Sequence, residues 1–310
     1  MNKIPMIIIL TLFFLFISKV FTDESQNSLP IIWESSTALQ TPESSHYSFK
    51  HKAIFVSNMA GGPTDKIGKT KGYKGGWIQK IRYNKNNTFE IEAEKWVTVL
   101  NSPKGIHVSG DYLWVATVDS VIGIHIPTVE KKITIPIVGA KCLNDIAIST
   151  TGTLYISDVF SGNIYKIDNP RDIKFRKVEV FAKSPDIEVV NGLLFSNDYL
   201  IAGGMGNLYR GGNKKGNFIS INTIDKKSDI LIPELGMIDG IELDNDNNYI
   251  VSEFSQNVIY KIKNGHKTKL LSLPGEGTAD LGFIKESNLL IVPKLMKNKI
   301  TIYDYSKIVK

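Results

Sequence analysis

The sequence predicts an all-β chain, a six-bladed β-propeller with four-stranded blades around a central channel. The first observation is a short polar phrase that returns at the head of an apolar strand. It reads Pro103-Lys104-Gly105-Ile106, Leu143-Asn144-Asp145-Ile146, Val190-Asn191-Gly192-Leu193, Ile238-Asp239-Gly240-Ile241 and Ala279-Asp280-Leu281-Gly282. Its steps are 40 (104 to 144), 47 (144 to 191), 48 (191 to 239) and 41 (239 to 280) residues. A period in the forties with four strands per repeat is the pattern of propeller blades. The second observation is alternation of apolar and polar residues between the phrases, rich in β-branched and aromatic types and punctuated by Gly, Asn and Pro. The third is that no helix-period segment of useful length follows residue 30.

The first 22 residues read as a secretory signal peptide. Lys3 gives a positive start, Ile4 to Ile17 is apolar and uncharged, and Val20-Phe21-Thr22 offers small-residue cleavage. The run is too short to span a bilayer core comfortably, which takes about 20 residues. The alternative is an uncleaved N-terminal anchor. Residues 23–30 read as a flexible segment, and residues 31–310 as one propeller domain, a length that suits six blades.

An early repeat holds Ala53-Ile54-Phe55-Val56-Ser57-Asn58 and Gly76-Trp77-Ile78-Gln79-Lys80-Ile81. The clearest repeat runs from Asn144 through Thr153–Asp158 and Asn163–Asp168 to Lys177–Phe181. The next is read as Tyr199–Ala202 followed by Asn207–Arg210, and the one after as Tyr249–Ser252 followed by Val258–Ile262. The last, Leu289–Val292 and Lys299–Tyr303, is one outer strand short. Ile31-Ile32-Trp33-Glu34 is expected to supply it and close the ring, leaving no sheet edge open.

The net charge of +6 comes mainly from scattered lysines with no aromatic interleaving, which speaks against nucleic-acid binding. The single cysteine, Cys142, excludes an intramolecular disulfide and reads as a small buried hydrophobe. Gly203-Gly204-Met205-Gly206 precedes no helix, so it reads as a hairpin rather than a phosphate loop. The insertion from Gly61 to Gly76 is longer than a hairpin needs and is expected to act as a lid, with Asp65 or Lys66 reaching the site.

A propeller gathers equivalent positions of its repeats at one mouth of the channel. By register these are Glu43, Lys104, Asn144, Asn191, Asp239 and Asp280. The set has three carboxylates, two carboxamides and one ammonium, and neither His nor Cys. Hard oxygen donors suit Ca²⁺, Mg²⁺ or Mn²⁺ and make Zn²⁺ the least favoured ion. Asn-Gly and Asp-Gly are also turn dipeptides, but here apolar strand residues follow each of them.

These residues resemble the SMP-30/gluconolactonase/LRE family of six-bladed propellers, over roughly residues 40–305. The resemblance rests on Val190-Asn191-Gly192-Leu193-Leu194-Phe195-Ser196, on Ile238-Asp239-Gly240-Ile241-Glu242, on Leu143-Asn144-Asp145 and on Pro42-Glu43. Glu43 is followed by Ser-Ser where the family has Gly-Pro. Phe55–Asn58, Ser102–Gly105 and Ala279–Gly282 look like a less characterised, exported branch. The resemblance implies that Glu43, Asn191 and Asp239 bind one divalent metal, Ca²⁺ first, with Asn144 beside it facing substrate. It also implies lactone or ester hydrolysis of a small molecule such as a sugar lactone. Asp239 or Asp280 would take the proton, and Lys104 and Asn144 would stabilise the oxyanion. Two other readings stand beside it: a non-catalytic binding propeller with a structural metal, and strictosidine-synthase-like or paraoxonase-like chemistry on the same fold. The expected protein is a monomer without a stable membrane span, exported to a periplasm or secreted, or else anchored by its N-terminal segment.

Overall fold

The structure, a computed structural model, describes residues 29–36, 39–61, 75–84, 86–183, 187, 189–207 and 211–308. The signal-peptide reading and most of the 61–76 insertion, with Asp65 and Lys66, lie outside the described residues.

After β1 (Ile31–Glu34) the chain builds blade after blade. The first is β2 (Pro42–Ser48), β3 (Ala53–Asn58), β4 (Gly76–Asn84) and β5 (Thr88–Leu100). The second is β6 (Ile106–Ser109), β7 (Tyr112–Ala116), β8 (Ser120–His125) and β9 (Glu130–Pro136). The third is β10 (Leu143–Ile148), β11 (Leu154–Asp158), β12 (Asn163–Asp168) and β13 (Lys177–Ala182). The fourth is β14 (Val190–Ser196), β15 (Tyr199–Gly204), β16 (Gly216–Asn222) and β17 (Ser228–Gly236). The fifth is β18 (Ile238–Leu243), β19 (Tyr249–Glu253), β20 (Val258–Lys263) and β21 (His266–Ser272). The sixth has β22 (Gly282–Ile284), β23 (Leu289–Lys294) and β24 (Lys299–Asp304). Each blade is an antiparallel four-stranded sheet, and β1 pairs with β24 as the outer strand of the sixth. The ring is therefore closed by the segment the sequence singled out.

One strand differs from expectation. The third strand of blade four is Gly216–Asn222, not Asn207–Arg210; Asn207 lies in a turn and residues 208–210 are outside the described set. Both segments alternate, but Phe218, Ile219 and Ile221 bury apolar side chains on both faces, and that burial decides the pairing.

The core lies between blades. Among the described residues six clusters join strands of neighbouring sheets, as where Ala147 and Tyr155 of blade three meet Leu193, Leu200 and Ile219 of blade four, and a seventh, Val159, Val189, Met205 and Met237, packs just beyond the strand ends. The ring closes through Trp33 of β1, which packs with Ile81 and Ile302 and sets its ring 5.7 Å from that of Phe89 in blade one. No helix among the described residues is long and apolar enough to cross a membrane.

Candidate active site at the channel mouth

The inner strands start irregularly, and this builds the site. In four blades the inner ladder shifts register within its first residues: between Pro42 and Ser45, Leu143 and Ile146, Val190 and Leu193, and Ile238 and Ile241. The bulged pairs are Glu43-Ser44, Asn144-Asp145, Asn191-Gly192 and Asp239-Gly240. A bulge takes residues out of the ladder and re-aims their side chains. The N–H groups that lose ladder partners find serines on the second strand. Ser44 N donates to Ser57 Oγ (3.0 Å), Asp145 N to Ser157 Oγ (2.9 Å) and Gly240 N to Ser252 Oγ (2.7 Å).

The second residue of each pair abuts the next blade. A Cβ on Gly240 would lie 2.5 Å from Leu281 N, and one on Gly105, the equivalent residue of blade two, 2.5 Å from Asp145 Cα. These glycines permit close approach of neighbouring inner strands, which a turn reading does not explain. Asp145 occupies the same position and uses its carboxylate as the joint: Oδ2 accepts from Leu193 N at 2.6 Å and Oδ1 from Ile146 N at 2.6 Å. Ser44 links the ring elsewhere, donating to Asp280 Oδ2 at 2.5 Å and accepting from Ile106 N at 3.3 Å. Asp280 N donates to Glu43 O at 2.9 Å and Gly105 N to Asn144 O at 2.8 Å.

The structure thus brings the predicted residues to one mouth. Asn191 Nδ2 donates to Asp239 Oδ1 at 3.2 Å, and none of Glu43, Asn191 and Asp239 is more than 6% exposed. Lys104 is buried beside them, its Nζ donating to Ser102 Oγ at 3.2 Å, and its charge reaches Glu43. Asn144 is half-buried. Asp145, which is not among the residues expected at the site from the sequence, belongs to the same acidic set. The signal for it was its place in the repeat, an acid where other blades have Gly105, Gly192 and Gly240.

Burial governs the electrostatics. It pushes the Glu43 carboxyl well above its usual range, with Asp239 adding repulsion and Lys104 opposing it. Burial raises Asp239 to about 7, helped by the charge of Asp145, and raises Asp145 itself to about 7. Asp280 also rises well above its usual range, through burial and then the Asp145 charge. Four acids held this way need protons or a cation between them.

Behind this ring the channel holds a cavity of about 70 Å³, lined in part by Asp145, Asp280, His46, His107 and Glu242. The two imidazoles lie with ring centroids 4.2 Å apart. Burial holds His46 well below its usual pKa and His107 at about 4, so both are neutral near pH 7. Glu242 is pushed by burial to about 8. Cys142 is buried and its thiol raised, as expected of a packing residue.

The donor set fits a hard divalent cation. Glu43 Oε2 and Asn191 Oδ1 are buried without a hydrogen-bond partner, and such orphaned oxygens are costly unless something binds them. Among the described residues no three His, Cys, Asp or Glu side chains form a ready-made cage. The implied set has two acids and a carboxamide.

No family model matches the sequence, and no curated protein matches it either. Solved structures do match in shape. A gluconolactonase from Xanthomonas campestris aligns with a TM-score of 0.62 at 11% identity, covering 88% of each chain. Regucalcin from Agrobacterium tumefaciens strain C58, a calcium-binding protein, aligns with a TM-score of 0.59 at 12% identity, covering 89% of this chain and 93% of that one. A chain of the nidogen/laminin complex aligns with a TM-score of 0.59 at 13% identity, covering 76% and 93%. The likeness is one of fold. Two of these proteins carry names of small-molecule or ion chemistry and one comes from a protein assembly, so function has to be argued from the site.

Proposed function

We propose that the chain is a divalent-metal-dependent hydrolase of lactone or ester type, acting on a small molecule at the mouth formed by Glu43, Asn191 and Asp239. The observation that carries this is the pair of orphaned buried oxygens, Glu43 Oε2 and Asn191 Oδ1, with Asn191 bonded to the Asp239 carboxylate. Glu43, Asn191 and Asp239 would hold the ion, Ca²⁺ first by donor type. A bound divalent cation supplies Lewis acidity toward a carbonyl oxygen and makes water a better nucleophile.

The remaining roles belong to side chains. Asp239 would take a proton from water through the carboxylate oxygen left free of the ion; its rise to about 7 belongs to the cation-free site, and a bound cation lowers it. Asp280, held by Ser44, is the second acceptor in the ring. Lys104 brings a buried cation to the mouth and would stabilise negative charge developing on the carbonyl oxygen. Asn144, half-buried at the same mouth, would orient the substrate. The apolar segment Ile4–Ile17 supports export.

The likeness to gluconolactonase and regucalcin propellers supports the lactonase reading at the level of fold. The competing reading, a binding propeller with a structural metal, draws support from the near-complete burial of Glu43, Asn191 and Asp239. Metal content and calcium titration calorimetry test the first step. One ion per chain is expected, with binding lost in Asn191→Ala. No binding of Ca²⁺, Mg²⁺ or Mn²⁺ would remove the basis of the proposal.

A further inference from the structure

Exposed apolar side chains are unevenly placed on the ring. Each inner strand runs away from the site mouth. The turns joining first to second strands, and third to fourth strands, therefore lie on the opposite face. Those turns carry Phe49, Val129, Ile173, Phe175 and Ile224, with Phe49 65%, Ile173 79%, Phe175 69% and Ile224 82% exposed, and Tyr199 opens the strand that follows one of them. Among the described residues the site face has only Val138 and Met296 as comparable tips.

The loop 169–176 is the most developed. It reads Arg171-Asp172-Ile173-Lys174-Phe175-Arg176-Lys177, two apolar residues set among four cations. It is tied down: Arg176 N donates to Asp172 O (2.8 Å), Lys174 N to Asp172 Oδ1 (2.9 Å) and Asn169 Nδ2 to Phe175 O (3.2 Å). Ile173 and Phe175 are thus held out in water by a formed loop. Lys174 makes no ion pair among the described residues. The other tips also lie near lysines, Phe49 near Lys50 and Lys52, Val129 near Lys131-Lys132 and Ile224 near Lys226-Lys227. Most of these are paired with acids: Lys50 with Asp111, Lys52 with Glu286, Lys132 with Glu130 and Lys227 with Asp225.

The chain's path gives a second observation, which applies where Ile4–Ile17 is retained as an anchor. Asp304 N donates to Pro30 O at 2.8 Å, at the end of β24 that lies on this same face. The chain therefore joins the ring from the tip-bearing face. Residues 18–28 separate Leu29 from the uncharged run Ile4–Ile17, and such a stretch reaches at most roughly 40 Å when extended.

We propose that this face docks on an anionic phospholipid surface, with the Glu43–Asn191–Asp239 mouth turned toward solvent. Apolar tips enter the boundary between headgroups and acyl chains while flanking cations pair with lipid phosphates and carboxylates. Among the described residues, the crevice on this face beside Arg171 is lined mainly by polar surface, whereas the one beside Tyr83 presents mostly the apolar parts of polar side chains.

The test uses the full chain carrying Phe175→Cys labelled with an environment-sensitive fluorophore; Cys142 is buried and stays unlabelled. Vesicles of phosphatidylcholine with phosphatidylserine should shift the emission at position 175 to the blue and leave a label at Val138→Cys unchanged. Adding Lys174→Ala should raise the lipid concentration for half-maximal response about fivefold, the loss expected for one cation at such a surface. No shift at position 175, an equal shift at position 138, or the same titration with pure phosphatidylcholine would overturn the proposal. So would a response at position 175 to an added protein but not to vesicles.

Discussion

Asp239 is 3.2 Å from the Asn191 carboxamide and within electrostatic reach of Glu43, Asp145 and Asp280. Without a cation these acids repel. Asp239→Asn should then leave stability in chelator unchanged or raise it by on the order of 1 kcal/mol. The rise in melting temperature that calcium gives the parent protein should disappear. Melting curves with chelator and with calcium check this; a variant that keeps the full calcium response would remove Asp239 from the ligand set. The histidine pair gives a pH prediction. An unfolded chain protonates His107 near its ordinary value of 6.5, whereas the folded chain resists until about 4. At this ring the unfolded state thus binds more protons in that window, and the His107 contribution falls as pH drops from about 6.5 toward 4, opposite in sign to that of the raised acids Asp145, Asp239 and Glu242. The contribution is up to about 3 kcal/mol, reduced because solvent reaches part of the ring. His107→Gln should raise the urea midpoint at pH 5 relative to that at pH 7, compared with the parent. An equal slope in both proteins would show that the pair does not titrate in this way.

At the scale of the strand, the bulge and the glycine beside it set the site. A methyl group on Gly192 would collide with the carbonyl oxygen of Asp239, a backbone atom that can move only by displacing the next inner strand. Gly192→Ala should cost about 1–3 kcal/mol and weaken calcium binding, since Asn191 and Asp239 sit on the two strands forced apart. Urea unfolding and calcium titration measure the two effects; an unperturbed variant would mean the strands are not in contact. Much of this site was legible in the sequence. Glu43, Lys104, Asn144, Asn191, Asp239 and Asp280 stood at equivalent places in the repeat, and repetition fixes their common mouth. The bulges were not legible, because a register shift depends on backbone pairing that alternation does not encode. Nor was the pairing of Ser57, Ser157 and Ser252 with the freed N–H groups, since a serine beside an acid or amide reads equally well as a turn. The meeting of His46 and His107 follows from the closure of blades one and two, which no local pattern carries.

For the molecule as a whole, closure is what turns six sheets into one ring. β1 lends blade six its outer strand, and Trp33 packs across the seam to blade one. Trp33→Ala should cost about 2–3 kcal/mol, somewhat less than deletion of a fully buried aromatic. Thermal unfolding checks the value, and a negligible change would mean the seam is held elsewhere. The architecture was readable from repeat spacing, and the missing strand from the short last repeat. The third strand of blade four was misplaced because Asn207–Arg210 alternates as well as Gly216–Asn222, and only packing separates them. The proposed hydrolytic mouth depends on a bound metal ion. Its most direct test is hydrolysis of simple aldonolactones and aryl esters by the purified protein, with excess chelator and after restoring calcium, magnesium or manganese. The expected result is turnover that chelator abolishes, that metal restores, and that Asp239→Asn and Lys104→Ala each reduce. Full activity in chelator would contradict the metal mechanism. One metal ion bound per chain with no lactone or ester hydrolysed would contradict the hydrolase and leave a binding propeller.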